Sequence, residues 1–238
     1  MTTSIDPAAL AANLRHLTSA PPARSSEGSL RGVIEACLQL FSVQGSGLMI
    51  TDERSTLRYV VSSDGPGRLL ETAQIDTGEG PCVDTFVRDE VTVCTDVAND
   101  PRWPKLGPIM RGSGVAAVLG VPVHLSGICV ASLNLYRSTR QRWDPAECTD
   151  LTRYGQVVGA TLGAIVSAEQ AGALAAQLNY ALDYRVPIER GVGYLMARDR
   201  IDHIEAFTRL RSAARNSRRK IGDVAMDLLS TGRLPNEG

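Results

Sequence analysis

The chain has 238 residues, 43% hydrophobic and 21% charged, with a formal net charge of −1 at pH 7. That length holds one or two domains with cores of their own, and the composition excludes a collagen-like, low-complexity or disulfide-stapled protein. Five cysteines (Cys37, Cys82, Cys94, Cys129 and Cys148) without a CxxC pair, and only three histidines, make a metal site unexpected. An odd, scattered set of thiols fits the reduced cytosol. Nothing at the start reads as a secretory signal, and the apolar stretch from Gly155 to Ala168 is too short to span a bilayer. The expectation is a cytoplasmic protein with no membrane contact.

In chain order, residues 1–27 read as a loosely ordered N-terminal segment with a linker at Ala20 to Ser26. Ser29 to Val43 has helical apolar spacing through Leu30, Val33, Ile34, Cys37, Leu38 and Phe41. Gly47 to Thr51 and Leu57 to Ser62 are strand-like around the turn Asp52-Glu53-Arg54-Ser55, and Gly65-Pro66-Gly67 is taken to close the hairpin. Gly78 to Cys82 opens a short helix ending at Arg88. Val91 to Thr95 is a strand, and Asn99-Asp100-Pro101 turns into a segment around Trp103. Val115 to Val123 and Ile128 to Tyr136 are long and almost continuously apolar, as central strands are. The pattern predicts one α+β domain over 28–168, with a central antiparallel sheet of five or six strands.

Asp144-Pro145-Ala146-Glu147 is a helix start: a cap, a first-turn proline and a capping-box glutamate. No proline follows until Pro187, a run of about 63 Å if fully helical. A connecting helix or coiled coil is therefore predicted over 145–186. Leu151, Tyr154, Val158, Leu162 and Ile165 form an apolar face, resumed by Leu174, Leu178, Ala181 and Leu182. Gly155, Gly159 and Gly163 cost about 1 kcal/mol each relative to alanine in a helix interior. They suit close approach to another helix or to the same helix of a second chain, giving a homodimer; packing on the chain's own sheet is the alternative. Gly172 is a candidate joint.

The last segment, 174–233, carries three further apolar stripes. Ile188, Val192, Leu195 and Met196 form one. Asp202 and Glu205 make a capping box that starts a second, with Ile204, Phe207, Leu210 and Ala214. Ile221, Val224, Ala225, Leu228 and Leu229 form the third. Three short stripes bury one another as a small all-α three-helix bundle. Eleven arginines and lysines against seven acids lie off the stripes. Such a local excess suits a polyanion, since neutralising phosphates releases counterions, although a solvated, salt-bridged face would look the same.

The order of these residues resembles the ANTAR domain, an RNA-binding antiterminator module of bacterial regulators. The residues are Ala181-Leu182, Arg185, Ile188-Glu189, Gly193, Leu195-Met196, Arg198, Ala206-Phe207, Leu210-Arg211, Ala214, Arg219-Lys220 and Asp223-Val224-Ala225. The family usually carries Ala-Lys-Gly where this chain has Gly191-Val192-Gly193, which implies an altered RNA contact at Val192. The resemblance implies binding of paired RNA stem-loops that keeps a terminator from forming. Arg185, Arg190, Tyr194, Arg198, Arg215, Arg218, Arg219 and Lys220 are the expected contacts, the arginines pairing with phosphates and stacking on bases.

The preceding segment resembles the GAF domain, a ligand-sensing fold. Its residues are Gly78-x-Gly80-Pro81-Cys82, Asp96, Asp100-x-Arg102-Trp103-Pro104, Gly114, Val121-Pro122-Val123 and Ala131 to Tyr136. The small-molecule ligand and any cofactor stay unspecified, because such a fold does not name its ligand. Pocket candidates are Met49, Cys82, Cys94, Trp103, Arg111, Val121, His124 and Asn134. His124 also reads as a strand-end surface residue, and no axial-ligand context for haem surrounds it. Cys82 and Cys94 read either as small core residues or as redox thiols. Together the resemblances imply a signal-responsive antitermination regulator that is not an enzyme. The alternatives are a DNA-binding regulator, using its bundle as helix-turn-helix proteins do, and a cysteine-dependent methionine sulfoxide reductase.

Overall fold

The structure, a computed structural model, describes residues 26–51, 57–168 and 173–235. Most of the N-terminal segment (1–25), the turn at 52–56 and the joint at Gly172 lie outside the described residues. The chain divides at residue 168 into two compact units.

The first unit runs α1 (Ser26–Phe41), β1 (Gly45–Thr51), β2 (Leu57–Ser62), α2 (Gly65–Thr77), α3 (Pro81–Arg88), β3 (Thr92–Cys94), α4 (Leu106–Met110), β4 (Ala117–Leu125), β5 (Ile128–Arg137) and α5 (Pro145–Ala168). Five strands form one sheet in the order β2-β1-β5-β4-β3, with β1–β5, β5–β4 and β4–β3 antiparallel. The apolar strands β4 and β5 lie inside it, as continuous apolar runs demand. Gly65-Pro66-Gly67 does not close the hairpin; it starts α2. The Asp64 carboxylate accepts from the Gly67 amide at 2.9 Å, and Pro66 sits where a helix has no amide to satisfy. Asp64 also accepts from the Tyr136 hydroxyl, which ties α2 to β5.

α5 begins at Pro145, and its capping box forms: the Asp144 amide donates to Glu147 at 2.9 Å and the Ala146 amide to Asp144 at 2.8 Å. Leu151, Tyr154, Val158 and Leu162 are buried within the unit. The Tyr154 hydroxyl donates to the Val33 carbonyl of α1 at 3.0 Å, and its ring meets Phe41 edge-on at 6.4 Å. The glycine strip is seated on β4. A Cβ at Gly159 would stand 2.2 Å from the His124 carbonyl oxygen, one at Gly155 3.4 Å from that of Pro122, and one at Gly163 3.2 Å from the Leu125 side chain. The chain's own sheet thus accounts for the glycines without a second helix, and the face from Leu151 to Leu162 is covered. Ile165, Leu174, Leu178, Ala181 and Leu182 have side chains outside those described.

The second unit holds α6 (Ala173–Asp199), α7 (His203–Ser217) and α8 (Ile221–Thr231). α6 passes through Pro187 rather than stopping there. One proline removes one backbone bond, and packing on the following turns, where Ile188, Val192 and Leu195 are buried, holds the helix. Phe207, Leu210 and Ala214 of α7 and Ile221, Val224, Ala225 and Leu228 of α8 complete the core. Leu229 does not join it: it is 41% exposed, on the outer side of α8. Met196 and Ile204 are half-buried. Among the described residues, no helix is long and apolar enough to cross a membrane.

The seating of α5 makes a differential prediction. Gly159→Ala is expected to destabilise the protein by about 1–3 kcal/mol, because its methyl meets backbone that cannot move aside. Gly155→Ala, with room for the methyl and better helix propensity, is expected to be neutral or stabilising. Thermal melts of the two variants check this; equal losses from both would contradict the seating.

Candidate ligand site and nucleic-acid interface

Residues alternate sides along a strand, so each face of this sheet has its own chemistry. On β5, Ala131, Leu133 and Leu135 turn to one side, and Ser132, Asn134 and Tyr136 to the other, where α2 and α3 lie. Asn134 pairs in register with Gly47 on one neighbour and Gly120 on the other. Both glycines admit a polar side chain from a helix. A Cβ at Gly47 would stand 1.6 Å from a Glu71 carboxylate oxygen, and one at Gly120 2.5 Å from the Thr85 hydroxyl. Glu71 of α2, Thr85 of α3 and Ser132 and Asn134 of β5 are thereby brought to one patch of sheet, all with 0% exposure.

The patch is short of partners. Apart from the close approach of the Asn134 amide to Glu71, both Glu71 oxygens, both ends of the Asn134 amide and the hydroxyls of Ser132 and Thr85 lack a hydrogen bond of regular geometry within the chain. Unsatisfied buried polar groups are rare and costly, about 1–3 kcal/mol each, and clusters of them mark places where a ligand or water supplies the partners. Burial pushes the Glu71 carboxyl well above the usual carboxylate range, against the opposing pull of the facing Asn134 amide and Arg68. Cys82 lies beside the patch. Gln74 grips it twice: its carbonyl accepts from the Cys82 amide at 2.7 Å and its amide donates to the sulfur at 3.1 Å.

The sequence-predicted pocket residues divide. Asn134 is in the patch and Cys82 beside it, and alternation puts Met49, paired with Ser132, on the same face. Cys94 and Trp103 share that face farther along, in a hydrophobic cluster with Leu70, Val118 and Tyr136. There the Trp103 indole donates to Asp84 at 3.1 Å, and the Cys94 thiol donates to Asp100 at 3.5 Å, so both are packing anchors. Val121 faces the other way, with its methyl 3.4 Å from the Cβ position of Gly155 in α5. Arg111 and His124 are exposed, Arg111 as the C-cap of α4 and His124 opposite a bulge in β5. Sequence reasoning missed Glu71, Gln74, Thr85 and Ser132. One signal for Ser132 was available: Ser132 and Asn134 alternate with Ala131, Leu133 and Leu135 in a strand buried on both sides.

Burial raises both candidate thiols, Cys82 and Cys94, to about 12. At neutral pH they are protonated, whereas the thiolate is the nucleophile.

In the second unit the expected RNA contacts also divide. Arg185 is half-buried and ion-paired with Glu189 at 2.8 Å. Arg198 is held by Asp199 at 2.6 Å and donates to the Gly232 carbonyl at 2.9 Å, so it ties the end of α8 to α6. Arg190 and Tyr194 are exposed one turn apart on α6. Arg215, Arg218, Arg219 and Lys220 are exposed at the α7–α8 corner, where Arg219 pairs with Asp227 at 2.6 Å. Arg218 occupies the left-handed region (φ 55), which suits glycine and costs other residues roughly 1–2 kcal/mol. Gly191 packs on Ala225 and Arg198 binds Gly232, the same offset of 34 residues. Carried back, that offset places the basic corner beside the Arg185 turn of α6. Val192, where the family's lysine would stand, is fully buried in the bundle.

The GAF domain model matches residues 27–162, and the ANTAR domain model matches residues 176–229. No curated protein matches the chain. Among solved structures, the GAF domain of an Acinetobacter phosphoenolpyruvate-protein phosphotransferase superposes with a TM-score of 0.53 at 16% identity, covering 68% of this chain and 96% of that one. The corresponding domain from Coxiella burnetii gives 0.52 at 18% identity, covering 69% and 98%. The free methionine-R-sulfoxide reductase of Neisseria meningitidis, in complex with its substrate, gives 0.53 at 16% identity, covering 67% and 89%. At these identities the likeness is one of fold. With more than half its length matched by the GAF model and most of the remainder by the ANTAR model, the chain belongs to the GAF family, with an ANTAR domain following its GAF domain.

Proposed function

We propose that the protein is a cytoplasmic, signal-responsive regulator whose GAF domain binds a small polar ligand and whose ANTAR bundle binds RNA hairpins to prevent terminator formation. The observation that carries the reading is the exposed basic corner of Arg215, Arg218, Arg219 and Lys220, with Arg218 in a backbone conformation that its side chain does not favour. Cations at the start of α8 gain nothing from the helix dipole, and four of them crowded there suit a polyanion outside the fold even with Arg219 paired to Asp227. The ligand site is the buried patch of Glu71, Thr85, Ser132 and Asn134, whose unpaired donors and acceptors suit a molecule that can both give and accept hydrogen bonds. A ligand regulates only by binding two states with different affinity. The reductase reading is disfavoured because burial keeps the Cys82 and Cys94 thiols protonated. With the glycine strip seated on the sheet, pairing of two copies rests on the apolar residues Ile165, Leu174, Leu178, Ala181 and Leu182.

Three outcomes are expected. Reversing both charges with Arg218→Glu and Arg219→Glu should weaken hairpin binding, lower the slope of log affinity against log salt by about two, and leave folding intact. An unchanged slope would make the corner a solvated face, and duplex DNA that competes as well as hairpin RNA would favour the DNA-binding alternative.

Glu71→Gln should raise the melting temperature at neutral pH and abolish the ligand-induced shift found by metabolite screening. The sign follows from Glu71's raised folded-state pKa: the native state holds the proton more tightly than the unfolded chain. Stability therefore falls as pH rises from the ordinary carboxylate range up to the folded value, and the glutamine removes that fall. A variant with the same pH profile as the parent would show that Glu71 is not so perturbed.

Light scattering at micromolar concentration should give twice the chain mass of 25.5 kDa. A monomer would remove the dimer from the reading.

A further inference from the structure

Three chemically different side chains meet at the end of the sensor sheet, away from the buried patch. Asp89 is the C-cap of α3, in the left-handed region at φ 57. His124 of β4 lies opposite a bulge at Val130 of β5, and its Nε2 lies 2.7 Å from the Asp89 Oδ1. The bulge also brings in the third group. Regular pairing after Val123–Ala131 would set Val130 opposite His124, but the register skips a residue and sets Cys129 there. Re-aiming a side chain is what bulges do. One carboxylate oxygen, one imidazole nitrogen and one sulfur then lie within 4.8 Å of one another. Asp89 and His124 reach solvent, and Cys129 is buried beneath them.

We propose that Asp89, His124 and Cys129 bind a divalent cation of the zinc class, with three protein ligands and the fourth position open to water. The donor set is the one such ions take: thiolate, imidazole and carboxylate, at about 2.3 Å for sulfur and about 2.0–2.2 Å for nitrogen and oxygen. Magnesium and calcium, which prefer all-oxygen shells, do not suit it. Around a tetrahedral ion, donors stand about 3.3–3.8 Å apart by those bond lengths, so closure on the metal needs shifts of about 1 Å in two exposed side chains. The site departs from the expectation that this chain holds no metal, because its ligands come from a helix cap and two strands and show no motif spacing. Its place matters to the fold: the His124 carbonyl is the atom against which Gly159 of α5 is seated, so an ion on the His124 side chain would brace the strand segment that carries the long helix.

The test uses the full chain with its thiols reduced. Titration with Co²⁺ should saturate at one equivalent with a thiolate-to-cobalt absorption, and Zn²⁺ should displace it. Cys129→Ser should abolish that absorption, and Cys148→Ser should leave it unchanged. Asp89→Asn and His124→Gln, both at exposed positions, should each weaken Zn²⁺ by about tenfold or more in competition with a chromophoric chelator. These two variants decide the matter if Cys129→Ser does not fold. The absence of saturable binding would overturn the proposal and leave His124 and Asp89 as an ordinary hydrogen-bonded pair. Binding that survives both exposed-site variants would overturn it equally, since other groups would then hold the metal.

Discussion

A sheet covered on both sides has no face on which polar side chains can meet water. Here α5 takes one side, with its glycines against β4, and α2 and α3 take the other. Everything polar on the sheet's inner strands β1 and β5 must therefore find a partner inside the domain or from a ligand. Ser46 finds one, its hydroxyl donating to the Asn134 carbonyl at 2.9 Å. Ser132 and the Asn134 side chain do not. Their burial without partners, beside a carboxyl that burial pushes toward neutrality, is destabilising in the free protein, and it is the form of strain that sites carry for function.

The same two-sided cover explains why the two cysteines noticed in the sequence are poor reagents. Cys82 is buried against Gln74 of α2 and Cys94 in the cluster with Trp103, and exclusion of water disfavours the thiolate at both. The Neisseria protein of similar fold is a free methionine-R-sulfoxide reductase. Fold similarity at 16% identity does not carry that chemistry across.

In the ANTAR bundle, charge divides by what it touches. Arg185, Arg198 and Arg209 are occupied with Glu189, Asp199 and Glu205, pairs that fix one helix against another or stiffen a turn. Exposed pairs of this kind are worth about 0–1 kcal/mol, so their role is in placement more than in stability. The arginines at the α7–α8 corner are arranged differently: they crowd a short connection in which one occupies a left-handed turn. Val192 shows the bundle settling its own core where the family has a lysine. An apolar residue there gains burial and avoids the cost of drawing an ammonium out of water.

The sequence by itself determined the two-part architecture, the central strands β4 and β5, the capped start of α5 at Pro145 and most of the bundle's apolar stripes. These rest on periodicity and capping, which are local. It left Gly155, Gly159 and Gly163 open between another helix and the sheet, because spacing says that something comes close but not what. It took Gly65-Pro66-Gly67 for a turn because glycine and proline mark chain reversals and helix starts alike; the Asp64 cap decided. Only the tertiary structure gathered Glu71, Thr85, Ser132 and Asn134, residues up to some sixty apart whose meeting depends on strand register and on two glycines in neighbouring strands. Val121, His124 and Arg111 were pocket candidates in the sequence, and the alternation of sides, one bulge and one helix end placed them elsewhere.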